Sequence, residues 1–285
     1  MSSEKISLDI RTAVRDRYSK IAETFEPGSH AEPCCGTSPC CGDDKDASVQ
    51  LVSVEKLYLT KDAAALPDDV TGLSLGCGDP ITLAALKPGE TVLDLGSGGG
   101  IDCFLAGQQV GPEGRVVGVD MTPAMIKKAR ANKDKLGVEN VEFRLGEIEH
   151  LPIPDGCIDV IISNCVINLS PDKPQVFHEA WRVLRPGGKL AVSDMVTDGP
   201  LPDAIKSSIS AWAGCVAGAL DIGDYLSGIE AAGFVDVKIV PVYLDHEFID
   251  EAVQELGGTI NLSGMPQDTI YKAVFSAKIT AYKPA

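Results

Sequence analysis

The stretch TVLDLGSGGGIDCFLA, Thr91 to Ala106, decides the fold. Residues 91–95 form a largely apolar run, the glycines of 96–100 break it, and residues 101–106 resume with helical spacing. The pattern predicts a buried strand, a tight glycine turn and the start of a helix. Glycines suit such a turn because the chain reverses sharply and a ligand can approach the backbone without meeting a Cβ. The turn is therefore a candidate small-molecule site.

The spacing of the glycines argues against a dinucleotide as that molecule. In the pattern G-x-G-x-x-G the third glycine would fall on Ile101 or on Cys103, depending on where the pattern starts. The next predicted strand, residues 115–119, ends in Asp120. An acidic side chain about twenty residues after the glycines can bind a ribose diol. Asp120 is therefore a candidate ribose ligand.

Strands and helices alternate after the glycine turn, which predicts a doubly wound α/β sheet. Further predicted strands are 141–145, 158–163, 189–196, 235–242 and 271–282. Predicted helices are 7–25, 52–57, 68–71, 121–132, 173–184, 204–220 and 225–232. The first of these helices is amphipathic, and the sequence is compatible either with a lid over the site or with simple packing.

Composition limits the class of substrate and the compartment. The chain has 285 residues and a net charge of −16, which disfavours nucleic acid because a phosphate backbone requires basic surfaces. The sequence predicts no membrane span and no secretory signal, so we expect a cytoplasmic protein. Nine cysteines in such a protein favour metal, metalloid or redox chemistry over structural disulfides.

Four of the cysteines cluster near the N-terminus in EPCCGTSPCCGD, residues 32–43. The surrounding proline, glycine and serine residues predict a loop with exposed thiols. Zinc is one possible ligand, but adjacent cysteines chelate a tetrahedral ion poorly. A labile dithiol that captures soft ions or cycles through a disulfide is favoured over zinc.

Three other cysteines are distant in sequence but occupy suggestive places. Cys77 stands between two glycines, which expose a thiol. Cys165 follows the predicted strand 158–163, at the carboxyl edge where open α/β sheets bind ligands. Cys215 lies among small residues in the predicted helix 204–220, where a buried packing role is the simpler interpretation. Cys103 and Cys157 are predicted to be packing cysteines.

Several motifs together resemble the class I S-adenosylmethionine methyltransferases, over roughly residues 86–196. They are D-x-G-x-G-x-G at 94–100, the acidic strand end at 120, Gly-Glu-Ile at 146–148 and LRPGG at 184–188. The phrases LGCGDP, SNCVINL and AGCVAGAL, at 75–80, 163–169 and 213–220, further resemble the arsenite S-adenosylmethionine methyltransferases. The resemblance covers nearly the whole chain, and only residues 245–268 lack a clear counterpart.

The resemblance implies a Rossmann-like class I methyltransferase sheet, an α/β fold whose last strand is antiparallel, preceded by a helical and cysteine-loop extension. It implies three segments: 1–72 with the helix and cysteine loop, 73–243 with the cofactor and arsenic sites, and 244–285 with the final strand.

The resemblance also implies which residues hold each ligand. It implies trivalent arsenic ligands at Cys77, Cys165 and Cys215, with Cys35 or Cys41 as an accessory thiol. It implies cofactor contacts from Asp94, Gly96, Ser97, Gly98, Asp120, Met121, Glu147, Ile148 and Asn164. In that set the glycine turn holds the methionine part, the acidic strand end holds the ribose, and Met121, Glu147 and Ile148 hold the adenine. Glu147 departs from the family, in which aspartate is commoner.

The chemistry agrees with that resemblance, since trivalent arsenic is a soft centre that three thiolates can bind. The arsenic lone pair can attack the sulfonium methyl group in line, so no general base is required. The family is thought to reduce the pentavalent product by forming a disulfide between ligand cysteines. The implied partners are arsenite, methylated arsenicals and a thiol reductant, glutathione or thioredoxin, with no nucleic acid and no membrane.

Two other functions stay open at this stage. One is methylation of an organic thiol, phenol or quinone precursor, in which the cysteines would be incidental. The other is a non-catalytic protein that binds arsenite or zinc, with the N-terminal cysteine loop as the trap. The intact glycine pattern and Asp120 argue against the second.

Overall fold

The computed structural model describes residues 3–25, 66–71, 78–199, 218–243 and 274–285. The helices are α1 (Ser3–Thr24), α2 (Asp68–Thr71), α3 (Pro80–Ala84), α4 (Ile101–Val110), α5 (Pro123–Leu136), α6 (Lys173–Val183) and α7 (Ile222–Ala231), with a 3-10 turn at Ile167–Leu169. The strands are β1 (Thr91–Leu95), β2 (Arg115–Asp120), β3 (Val141–Leu145), β4 (Ile158–Asn164), β5 (Leu184–Thr197), β6 (Val235–Tyr243) and β7 (Val274–Tyr282). The N-terminal cysteine loop, the helix predicted at 52–57, most of that at 204–220 and the segment 245–268 lie outside the described residues.

The seven strands form one sheet in the order β3-β2-β1-β4-β5-β7-β6. The first five pair in parallel, while β7 runs antiparallel to β5 and to β6, its two neighbours. The fold class predicted from the sequence, including the antiparallel last strand, is therefore confirmed.

Apolar side chains alternate along the central strands and fill a core on each face of the sheet. On β1, Leu93 and Leu95 face the layer that contains α6 and α7, whereas Val92 faces the layer that contains α4. Side chains point to opposite faces at successive positions of a strand, so a strand covered on both sides is apolar throughout. This explains why the predicted strands read as nearly continuous apolar runs.

One boundary differs from the sequence prediction. The sequence predicts a helix that ends at Leu184, a turn from Arg185 to Gly188 and a strand that begins at Lys189, but β5 begins at Leu184. Leu184 pairs with Ile158, and the register shifts before Val160 pairs with Lys189. Residues 185–188 therefore form an irregularity within the strand, because β4 continues to pair on both sides of them.

Helix α1 lies against α5 and reaches the carboxyl edge of the sheet. Ile10, Val14 and Ala22 are buried along one side of α1. At its end, the Lys128 ammonium group donates to the Phe25 carbonyl oxygen at 3.1 Å. None of the helices in the described part of the chain is long and apolar enough to cross a membrane.

Candidate active site

A cleft of about 940 Å³, including space open to solvent, lies over the carboxyl ends of β1, β2 and β4. This is the position at which open α/β sheets bind ligands, and the size suits a small molecule. Its wall includes the glycine turn 96–99, Asp120 and Met121, and Ile148, together with Asn164 and Cys165. The fold therefore gathers most of the predicted cofactor residues and one predicted arsenic ligand around a single space.

The glycine turn is fixed by its own backbone. The amides of Gly96 and Ser97 both donate to the Val119 carbonyl oxygen, at 2.8 and 3.0 Å. Gly96 has a φ of +74°, and a Cβ at this position would overlap the Val166 side chain. Both the backbone conformation and the close approach therefore require glycine here.

Ser97 contributes a polar atom that is ready for a ligand. Its side chain is buried, with 6% exposure, and lines the cleft. Its hydroxyl has no hydrogen-bond partner among the described residues. A buried hydroxyl without a partner is costly, so this group is suited to bind a polar part of the molecule that occupies the cleft.

Asp120 closes the other side of the turn. Its two carboxylate oxygens accept from the backbone amides of Gly98, at 3.0 Å, and Thr122, at 2.8 Å. Burial raises the pKa of this carboxyl above its usual range, while the two amide hydrogen bonds oppose that rise. Each oxygen retains a lone pair, so the carboxylate can accept further hydrogen bonds from a diol.

Asp94 lies behind the turn and is not part of the cleft wall. Its carboxylate is buried and accepts from the Cys103 thiol at 3.2 Å. Burial, with the nearby Asp102 carboxylate, raises the pKa of Asp94 well above its usual range. Asp94 thus joins β1 to α4, the two elements that the turn connects, and a direct contact with cofactor stays a prediction.

The loop after β3 presents Glu149 to the cleft where the sequence had suggested Glu147. The Glu149 side chain is buried and accepts from the Ser170 hydroxyl at 2.6 Å and from the Arg11 guanidinium at 3.4 Å. Glu147 lies outside the cleft wall and forms an ion pair with Arg15 at 3.3 Å. A role for Glu147 at the adenine stays a prediction, and the structure gives that loop a different acidic group in the wall.

Sequence reasoning missed several residues of the wall. These are Arg11, Val14 and Tyr18 on α1, Asp102 on α4, and Glu149, Leu169 and Ser170. The motifs that resemble the family lie in segments that follow strands, whereas α1 reaches the cleft by packing against α5. The sequence does indicate one of these residues, Glu149, because an acidic residue between apolar Ile148 and Leu151 is unexpected in a buried loop.

Asn164 connects two parts of the chain that are far apart in sequence. Its side-chain amide donates to the Gly78 carbonyl oxygen at 2.8 Å, and its carbonyl oxygen accepts from the Gly78 amide at 3.2 Å. A Cβ at Gly78 would overlap the Ser193 hydroxyl, so this backbone also lies close against β5. The residue before Cys165 therefore holds the residue after Cys77.

Cys165 is buried at the edge of the cleft in an unusual conformation. Its φ is +57°, a region that non-glycine residues adopt at a cost of about 1 to 3 kcal/mol. Its amide donates to the Ser193 carbonyl oxygen at 2.8 Å. Such strain persists only where the surrounding structure fixes it, and it concentrates at functional positions.

The sulfur of Cys165 is disulfide-bonded. The two other cysteines within the described residues, Cys103 and Cys157, are free, so the partner lies outside the described residues. Cys77, Cys215, Cys35 and Cys41 also lie outside them. Within the described ranges no three histidine, cysteine or acidic residues are arranged to hold a metal ion.

A family model described as a methyltransferase domain matches residues 86–233 of the chain. An arsenite methyltransferase of Halobacterium salinarum is 44% identical over the whole chain, which covers 69% of that protein. The chain belongs to the arsenite methyltransferase family. The human arsenite methyltransferase is 41% identical over 54% of the chain, which covers 43% of its length. The match therefore spans less than half the length of the human protein.

A solved structure of an arsenic methyltransferase agrees with this membership. An arsenic(III) S-adenosylmethionine methyltransferase from Chlamydomonas reinhardtii superposes with a TM-score of 0.62 and 34% identity, covering 82% of this chain and 74% of that one. Like other members of the arsenite methyltransferase family, the chain is an S-adenosylmethionine-dependent methyltransferase. The orphaned Ser97 hydroxyl, the glycine turn and the Asp120 carboxylate are the right donors and acceptors for this cofactor.

Proposed function

We propose that this chain transfers methyl groups from S-adenosylmethionine to trivalent arsenic held by Cys77, Cys165 and Cys215, and so converts arsenite to methylated arsenicals. The observation that carries the proposal is the position of Cys165. Its side chain lines the same cleft as Ser97 and Asp120, the residues that suit the cofactor. A soft ligand beside a methyl donor is what arsenic methylation requires.

Chain connectivity supports the other two ligands. Cys77 is bonded to Gly78, so their Cα atoms are about 3.8 Å apart, and Gly78 is hydrogen-bonded to Asn164. Cys215 precedes Gly218 by three residues, a reach of about 10 Å at most. Two residues further on, the Leu220 carbonyl oxygen accepts from the Thr197 amide at 2.9 Å, at the end of β5. Both cysteines are therefore within a few residues, in sequence, of segments attached to the edge of the sheet that carries Cys165.

The chain's residues divide the work of the reaction. When bound, S-adenosylmethionine supplies a methyl group on a positively charged sulfur. Ser97 and Asp120 bind and orient that molecule, and the glycine turn lets its backbone approach closely. Each of the three thiols gives its proton to a hydroxyl group of arsenite, which leaves as water while an arsenic–sulfur bond forms. The arsenic lone pair then faces the cofactor in the cleft, so proximity and alignment lower the barrier.

Methyl transfer leaves arsenic in the pentavalent state, and the ligand cysteines can return it to the trivalent state. Two arsenic–sulfur bonds break as one sulfur–sulfur bond forms, which passes two electrons to arsenic. Water or another thiol then loses a proton and takes one of the vacated positions, so that arsenic again has three ligands. The disulfide at Cys165 supports this capacity, because a second cysteine reaches its sulfur. A cellular thiol reductant, such as glutathione or thioredoxin, then restores the thiols.

The test is to incubate the protein with arsenite, S-adenosylmethionine and excess reduced thiol, and to follow methylated arsenic by chromatography with elemental detection. The wild type should form product, and Cys165→Ser should form at least 100-fold less, because a hydroxyl is a poor ligand for a soft centre. Cys157→Ser is the matched control, since Cys157 is a free cysteine outside the cleft wall and should behave like the wild type.

The alternatives predict different outcomes. Full activity of Cys165→Ser would remove the three-thiolate site. No product from the wild type, with cofactor binding intact by calorimetry, would favour an organic methyl acceptor. Arsenite binding without cofactor binding would favour a soft-ion binding protein.

A further inference from the structure

A buried carboxylate, that of Asp194 near the carboxyl end of β5, contacts the loop of Cys165 and helix α7, which follows Cys215 in sequence. Its Oδ2 atom accepts from the Asn168 backbone amide and from the Tyr225 hydroxyl, each at 3.2 Å. Its Oδ1 atom accepts from the Met195 amide at 3.0 Å. Both Asp194 and Tyr225 have 0% exposure, so these hydrogen bonds are shielded from water.

The first of these segments carries Cys165. Asn168 lies three residues after Cys165, in the 3-10 turn that ends the loop, and its side-chain amide also donates to the Met195 carbonyl oxygen. The loop is thus attached to β5 by Asn168 as well as by the Cys165 amide. These attachments oppose relaxation of the strained backbone at Cys165, because a shift of the loop would leave buried polar groups without partners.

The second segment follows Cys215. Tyr225 is in the first turn of α7, ten residues after that cysteine, and its ring packs edge to face on Phe177 with centroids 5.3 Å apart. Residues 219–221, which join the Cys215 segment to α7, are themselves attached to the end of β5 through the Leu220 carbonyl oxygen. The Tyr225 hydroxyl thus fixes the position of α7 relative to the same strand.

We infer that Asp194 and the Tyr225 hydroxyl are positioning groups for the arsenic site, which hold the loop of Cys165 and the start of α7, the helix that follows Cys215 in sequence, in fixed places on β5. The inference rests on the proposed function, since it concerns the geometry of that same site. Neither side chain lines the cleft, so both act through the segments they bind. The ammonium group of the buried Lys173 attracts the Asp194 carboxylate and donates to the Ser170 carbonyl oxygen at 2.9 Å.

The sharpest test is Tyr225→Phe, which removes one oxygen atom and keeps the ring on Phe177. We expect the affinity of the reduced protein for arsenite, measured by equilibrium dialysis with elemental detection, to fall about tenfold, the order of one hydrogen bond to a charged group. In turnover, the KM for arsenite should rise by a similar factor, while the cofactor affinity by calorimetry should be unchanged. Asp194→Asn should also lower the affinity for arsenite and leave the cofactor affinity unchanged, because it replaces one of the two accepting carboxylate oxygens with an amide nitrogen.

Phe177→Leu is the matched control, because it disturbs the packing of α7 on α6 but leaves the hydroxyl–carboxylate hydrogen bond in place. All proteins are compared well below their melting temperatures, with folding checked by circular dichroism. Wild-type arsenite affinity in Tyr225→Phe, or an equal loss in Phe177→Leu, would overturn the inference while the proposed function stands. A wild-type protein that binds no arsenite would overturn both.

Discussion

Two regions meet in the cleft, and they are built in opposite ways. The cofactor region, residues 96–100 and 119–122, is continuous with two adjacent strands, and backbone amides fix its geometry. The thiol region, residues 164–170 and 192–197, depends on side chains that reach across the fold. Local sequence therefore suffices for the first, whereas the second exists only when distant elements have packed. Cofactor binding should therefore survive changes that abolish arsenic binding.

The largest expected effect belongs to the thiol region, because Asp194 should make the stability of the protein depend on pH. Burial raises the pKa of Asp194 from 3.8 to about 7. A raised pKa means that the folded state binds more protons than the unfolded state between these values, so stability falls as pH rises from about 4 to 7. Over this pH range the free energy of unfolding should fall by roughly 4 kcal/mol, since each pKa unit corresponds to about 1.4 kcal/mol. Urea titrations at several pH values should show this decline, and it should be absent in Asp194→Asn.

The groups that face Asp194 are the Lys173 ammonium group, the Tyr225 hydroxyl and the amides of Asn168 and Met195. All of these favour the carboxylate, whereas burial favours the acid. The same pH slope in wild type and Asp194→Asn would contradict the assignment to this residue.

Gly96→Ala should break both regions at once, because its Cβ would overlap Val166, the residue after Cys165. We expect cofactor affinity by calorimetry to fall about 100-fold, of the order of 3 kcal/mol for a strained backbone and a steric overlap together. Arsenite affinity should fall as well. Gly137→Ala is the control: its φ is also positive, at +62°, but apart from its own chain neighbours no atom of the described residues lies within 4 Å of a Cβ there. It should lower stability by about 1 kcal/mol and leave both affinities intact.

Asp120→Asn should damage the cofactor region alone. The amide nitrogen would face a backbone amide of Gly98 or Thr122, so one hydrogen bond becomes a repulsion and a ribose acceptor is lost. We expect about a tenfold weaker cofactor affinity and an unchanged arsenite affinity in the absence of cofactor. Equal losses of both affinities would show that the two regions are not independent.

Arg11→Ala tests the contribution of α1, with the smallest expected effect. Arg11 pairs with the buried Glu149 in the cleft wall at 3.4 Å and also with Glu147 at 4.0 Å, whereas Arg15 pairs with the more exposed Glu147, which lies outside the wall. We expect cofactor affinity to fall about threefold in Arg11→Ala, and to change less in Arg15→Ala, since exposed ion pairs contribute little. A larger loss in Arg15→Ala than in Arg11→Ala would contradict the assignment of Glu149 to the wall.

The contrast between the two regions also explains what the sequence could predict. The strand, turn and helix at 91–106 and the acidic end of β2 form a continuous pattern, so their arrangement follows from spacing alone. Glu149 and Arg11 could not be predicted in the wall, because their meeting depends on how α1 packs. The start of β5 at Leu184 was missed because the turn signal at 185–188 is local, while pairing with Ile158 is not. An aspartate within the apolar run KLAVSDMV was the only sign of the buried network at Asp194.

The antiparallel strand β7 has a consequence for the order in which the protein can fold. Residues 274–282 are inserted between β5 and β6, so β5 has no partner on that side until they have been synthesised. These pairings span roughly eighty or more residues, and contacts between distant residues form slowly because a long loop must first close. A ribosome-bound chain can therefore complete the strands around its glycine turn well before β5 is locked. The growing polypeptide would form its binding site for the methyl donor first and its binding site for the metalloid last.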